Sequence, residues 1–239
     1  MEVSPVGPDL GHRSGAAPAS SWAVQLRWFA LGAVTAFAVP FVFSSLLELP
    51  HDVYLAVYFA FVAAFVGAYV NAVGIDARAA VRRNWRWGLA AGVVLGVPIV
   101  RNVFTESETA RPDGAYFVFE LLWRGVTYGA VDAVLLTVVP CLMVFSALGG
   151  RLGTWRRRAA YFGASLVAVM TITATYHLGY SQYRDDGVGG PEIGNTMISL
   201  PMLLTANPVG SVIDHSAMHV AAVVREYEGD RIPPRTDAD

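Results

Sequence analysis

From 115 to 148 the chain runs about 34 residues with few turn signals, and its apolar character is broken chiefly by Glu120, Arg124, Tyr128 and Asp132. A membrane-spanning helix needs about 20 apolar residues, so this run is too long for one perpendicular crossing. It fits either one strongly tilted helix or a helix broken near 125–129. A charge at bilayer depth costs roughly 2.5–3.5 kcal/mol on insertion scales, so an acid and a base in such a run point to a function or a partner. The rest of the chain agrees with a membrane setting. It is 54% hydrophobic and 15% charged, where soluble domains carry about 25% charged residues.

The expected fold class is all-α: a polytopic transmembrane helical bundle of about six crossings. Further crossings are predicted over 22–47, 53–73, 87–104 and 159–180, with a final helix over 208–224. The segment 194–206 is apolar but short, which suits a re-entrant or half-helix insertion. Asn207 is placed to cap the last helix, with Pro208 at its first position. One helical domain over 22–224 is expected between disordered tails, 1–21 and 225–239, both poor in periodic apolar residues. The loops after the second and fourth crossings carry four arginines each, namely Arg78, Arg82, Arg83 and Arg86, then Arg151, Arg156, Arg157 and Arg158. The positive-inside rule places these loops, and with six crossings both termini, on the cytoplasmic side of the cell membrane. The lone Cys141 permits no intrachain disulfide. A net charge of −2 excludes general nucleic-acid binding and leaves the lipid bilayer as the expected partner.

Few side chains are candidates for chemistry. Glu120, Arg124, Tyr128 and Asp132 fall at successive four-residue steps and make a slowly winding polar stripe. Glu120 and Arg124 pair directly on such a helix. Asp132 stays on the stripe only if the helix is unbroken at Gly129. Downstream, His215 and His219 leave one face of the last helix, a spacing that chelates a transition metal when another helix adds a third ligand. His177, late in the fifth crossing, is the expected third ligand. A divalent metal such as zinc is the cofactor this pattern admits.

Glu-Leu-Leu-Trp-Arg-Gly at 120–125, His177 on a later helix, and His215 with His219 on the last helix resemble the CPBP family, the CAAX-protease and bacteriocin-processing group of intramembrane metalloproteases also called Abi. The resemblance covers about 116–224. Phe119 stands where the family has its first glutamate, the usual catalytic base. Glu120 matches the second, which pairs with the arginine, here Arg124. Thr173 replaces a phenylalanine four residues before His177, and His219 replaces an asparagine. The resemblance implies a buried site of Glu120, His177, His215 and His219, cleaving a membrane protein or peptide substrate. The alternatives are an inactive member of the scaffold that binds a membrane partner, and a small transporter or proton or metal path.

Overall fold

The computed structural model describes residues 21–228, and the tails expected at 1–21 and 225–239 lie largely outside them. Among the described residues there are nine helices and no strand. They are α1 (Trp22–Leu46), α2 (His51–Val73), α3 (Ala77–Arg82), α4 (Trp85–Val103), α5 (Gly114–Ala147), α6 (Trp155–Leu178), α7 (Ser181–Asp186), α8 (Gly189–Thr205) and α9 (Val209–Arg225). Local signals start and stop them as elementary chemistry requires. Ser21, Asp76 and Thr154 accept hydrogen bonds from the first-turn amides of Val24, Ala79 and Arg157. Gly74 ends α2 in the left-handed region at φ 70°, where a side chain would be strained.

Four helices, α1, α2, α5 and α6, are long and apolar enough to cross a membrane. Val34, Val94, Val97 and Leu204 stand on the outer surface. Such an apolar exterior suits lipid and not water.

The long α5 is continuous. Of the two alternatives the unbroken helix is the one found, with wide π turns at Leu121–Thr127 and Val134–Val138 instead of a break near 125–129. The second lies just before Pro140, which donates no amide hydrogen and whose ring crowds the carbonyl one turn earlier. A π turn advances fewer degrees per residue than an α turn. The first one therefore cancels part of the winding that four-residue steps accumulate, so Asp132 stays on the interior side with Tyr128.

Loop contacts sort the bundle into two ends. One holds the arginine loops: Arg83 lies over the Phe145 ring at 3.8 Å, and Tyr69 of α2 donates to Gln25 of α1 at 2.9 Å. The other is rich in acids: Tyr116 donates to Asp52 at 3.1 Å, and Arg225 pairs with Glu108 at 2.8 Å. Between these ends α8 runs the whole way. Its C-terminus meets the arginine end, where Arg83 and Asn84 donate to the carbonyls of Ala206 and Thr205 at 3.1 and 3.2 Å. The α9 helix then returns, and Thr109 donates to the Arg225 carbonyl at 3.1 Å.

Four helices of membrane-crossing length do not confirm the expected count of about six crossings, and α8 is longer than the half-helix expected at 194–206. Glu192 and the glycines before it read as a loop in the sequence, whereas they form the first turns of α8. Residues 225–228, assigned by sequence to a tail, are anchored to the 106–109 loop, where Glu228 donates its amide to Thr109 Oγ1 at 3.0 Å.

Asn207 locks the turn between α8 and α9. Its amide nitrogen donates to the carbonyls of Ala80, Val81 and Arg83 at 3.3, 2.7 and 2.5 Å, and its oxygen accepts from the Val209 amide. Asn207→Ala strands three carbonyls and an N-terminal amide. It is expected to cost about 2–3 kcal/mol, measured as a lowered thermal midpoint in detergent.

Candidate metal centre

The site is positioned by the way α9 is held. Gly88, Gly92 and Gly96 line one side of α4, and Gly125 and Gly129 one side of α5. A Cβ on Gly92 would lie 2.7 Å from Gly210 Cα, and one on Gly129 would lie 2.6 Å from Ser216 Cα. The α9 backbone therefore packs directly on two glycine faces, the close approach that small residues allow between membrane helices.

This seating turns His215 and His219 toward α5. Their rings stack, with centroids 5.1 Å apart and 12° between planes. His215 Nε2 lies 3.1 Å from Asp132 Oδ2, and Tyr58 of α2 donates to Asp132 Oδ1 at 2.7 Å. Tyr128 meets the His219 ring edge-on at 4.6 Å. One donor atom each from Asp132, His215 and His219 lies within 4.8 Å of the others, and each residue is only 3% exposed.

The three residues stand on the floor of a cavity of about 790 Å³. A tyrosine wall stiffens one side, with hydroxyl contacts Tyr128–Tyr176, Tyr176–Tyr180 and Tyr54–Tyr180 at 2.9, 2.7 and 2.6 Å. The mouth carries Glu106, Asp186 and Glu226 at the acidic end of the bundle.

The sequence-predicted residues divide. His215 and His219 come together as their spacing requires. His177 lines the same cavity but stays outside the close group, with Nδ1 2.8 Å from the Thr173 carbonyl and its ring edge on Tyr183. That carbonyl can only accept, so Nδ1 carries the proton and Nε2 is the acceptor. Asp132, and not His177, completes the close group with His215 and His219, because His177 sits at the end of α6 and turns back on its own helix.

Glu120 is fully buried away from this floor and forms an ion pair with Arg124. Arg124 also pairs with Asp52 at 3.1 Å and lies over the Tyr227 ring at 5.2 Å. Together these residues tie α5 to the start of α2 and the end of α9. The convergence of Glu120 with the three histidines is not what the fold produces. Phe119 is 43% exposed and stacks on Tyr116 and Trp123, so its position faces outward from the bundle.

Asp132, His215 and His219 form a buried carboxylate–imidazole–imidazole group that can hold a divalent ion, with donor atoms within 4.8 Å of one another and the Asp132–His215 pair at 3.1 Å. Asp132, Tyr58 and His215 form a hydrogen-bonded chain by themselves. What exceeds that structural role is His215 Nδ1, buried without a partner among the described residues, beside an open cavity. Sequence reasoning ranked Asp132 lowest on its stripe and did not single out Tyr58 or Asn195. Only the carboxylate inside an apolar run signalled the first, and the other two carried no local signal.

No protein-family model matches this chain, and comparisons with curated proteins and with solved structures find no match.

Proposed function

We propose that this protein is a membrane-embedded, metal-dependent hydrolase with its ion at Asp132, His215 and His219. The observation that carries the reading is the buried carboxylate–imidazole–imidazole set on the floor of an open cavity. Three protein donors that leave coordination positions facing a cavity are the pattern of catalytic metal sites, whereas structural sites are closed. A cavity of about 790 Å³ is of the size that holds a small substrate or a peptide segment.

A bound divalent ion supplies Lewis acidity toward a carbonyl or phosphoryl oxygen. The chain's own residues do the remainder. Tyr58 holds Asp132 in orientation through Oδ1. His177, protonated at Nδ1, presents Nε2 to the cavity as the group that takes a proton from an attacking water. The CPBP resemblance supports His177, His215 and His219 as site residues and a membrane-resident peptide as substrate. In this reading Glu120 and Arg124 are the clamp that holds the scaffold, and Asp132 supplies the carboxylate.

The transporter reading is weaker. The cavity lining ends at Leu136 on α5 and at Ile198 on α8. Beyond them toward the arginine end, Met202, Leu203, Phe145 and Tyr161 fill the core.

The test is metal analysis of purified protein after loading with zinc or manganese, with turnover of membrane peptides measured alongside. The wild type is expected to hold about one ion per chain, and Asp132→Ala and His215→Ala almost none. His177→Gln is expected to keep the ion and lose about 10²-fold in turnover, the ordinary worth of a general base. Equal metal in the wild type and both ligand variants would sink the centre. A metal-loaded wild type without turnover would remove hydrolysis and leave a metal-binding membrane protein.

A further inference from the structure

The cavity sorts charge more strictly than the surface around it. Beside its tyrosines, its ionisable lining consists of Glu106, Asp186 and Glu226 at the mouth, Asp132 on the floor, and the three histidines, with no arginine among them. Arginines are nonetheless present at that end of the bundle. Arg111 is drawn to the Val224 carbonyl at 3.0 Å, and Arg184 to the carbonyls of Leu178 and Gly179, both at 3.0 Å. Arg225 is held by the Glu106 carbonyl at 3.1 Å and by the Glu108 carboxylate. Each thus occupies acceptors at a helix C-terminus or in the adjoining loop, where a cation is favoured. These arginines lie outside the cavity lining, whereas Glu106, Asp186 and Glu226 belong to it.

Two buried polar atoms along the wall continue the pattern. Asn195, 5% exposed, spends its amide nitrogen on Thr173 Oγ1 at 2.5 Å, and its carbonyl oxygen Oδ1 has no hydrogen-bond partner. Below it His215 Nδ1 is likewise unpartnered. An amide oxygen and an imidazole nitrogen share the capacity to accept a cation. Neither has a donor to answer it among the described residues, and leaving such atoms buried and unpaired is costly.

We infer that this cavity is the loading route for the ion: an electrostatic funnel that admits an inorganic divalent cation from the acidic end, through Glu106, Asp186 and Glu226, past Asn195, to Asp132, His215 and His219. The inference rests on the reading of those three residues as a metal centre. Low-dielectric walls lined by one sign of charge focus the field and raise association rates by about 10–10³-fold, with a strong dependence on salt. Three mouth carboxylates therefore set how fast the ion arrives, while the floor sets how long it stays.

The experiment uses the full chain in nanodiscs of zwitterionic lipid, so that lipid charge contributes nothing, and follows Co²⁺ loading by stopped-flow absorbance. Glu106→Gln, Asp186→Asn and Glu226→Gln combined are expected to slow association at least about tenfold at low salt and to flatten its salt dependence. Stoichiometry and dissociation rate are expected to stay as in the wild type. An unchanged association rate in a variant that still binds one Co²⁺ would overturn the funnel and leave the metal centre standing. Should the triple variant fail to fold, the wild type alone decides, since its association rate must fall steeply between low and physiological salt. A flat dependence overturns the funnel. A wild type that binds no Co²⁺ overturns the metal centre, and the funnel with it.

Discussion

Alanine at Arg124 is expected to destabilise the protein by about 3–5 kcal/mol, the usual result of removing one partner from a buried ion pair. Glu120 has no exposed surface and would keep a charge with no cation beside it. Asp52 would lose the same guanidinium, and Tyr227 its stacking partner. The α2 start, the α5 start and the end of α9 would separate together, because Arg124 is the group all three share. Thermal unfolding in detergent, followed by tryptophan fluorescence, measures the loss. The informative comparison is the double replacement Glu120→Gln with Arg124→Met, which removes both charges at similar volume. It is expected to recover most of the midpoint, since the stranded carboxylate and not the missing attraction is the larger cost. A double variant as unstable as Arg124→Ala would refute that division.

The second large effect is expected at Gly129. A methyl group there would lie 2.6 Å from Ser216 Cα and 3.0 Å from the His215 carbonyl oxygen, both backbone atoms that no rotamer change can move. Gly129→Ala must therefore shift α9 as a body. Overpacking of this kind costs about 1–3 kcal/mol. The same shift carries His215 and His219 away from Asp132, so metal affinity is expected to fall at least tenfold, as measured by competition with a chromophoric chelator. Gly125 supplies the control. Its nearest neighbours are the Val220 Cγ2 methyl at 2.9 Å and the Val220 Cα at 3.2 Å, a looser approach to backbone than the 2.6 Å at Gly129. Gly125→Ala is expected to lose stability with little change in affinity, because Val220 lies beyond the histidine pair. Equal losses of affinity at the two glycines would remove the argument from backbone seating.

Much of this arrangement is legible in the order of residues. Apolar runs of bilayer length mark α1, α2, α5 and α6, and four-residue spacing alone pairs Glu120 with Arg124 and puts His215 and His219 on one face. Spacing along a helix is local information, and where those side chains meet the rest of the molecule is not. The carboxylate that joins the histidines comes from Asp132 and not from Glu120 because the π turn between them alters the pitch of α5, and no residue count anticipates it. His177 sits at the end of its helix, where a backbone carbonyl one turn back is closer than the α9 face. The traverse of α8 was hidden by its first turn, built from Gly189, Gly190, Pro191 and Glu192, residues that in water would make a loop. Tyr58, which orients Asp132, reaches it from another helix and leaves no trace in the neighbouring sequence.

The two glycine faces that clasp α9 also set an order of assembly. Asp132 enters the membrane with α5, and the imidazoles that complete its surroundings arrive only with the last helix. Until then two grooves made of bare backbone stand open on α4 and α5, with a carboxylate in hydrocarbon held by Tyr58 alone. A chain interrupted before α9 thus lacks both imidazoles that flank Asp132 in the folded bundle.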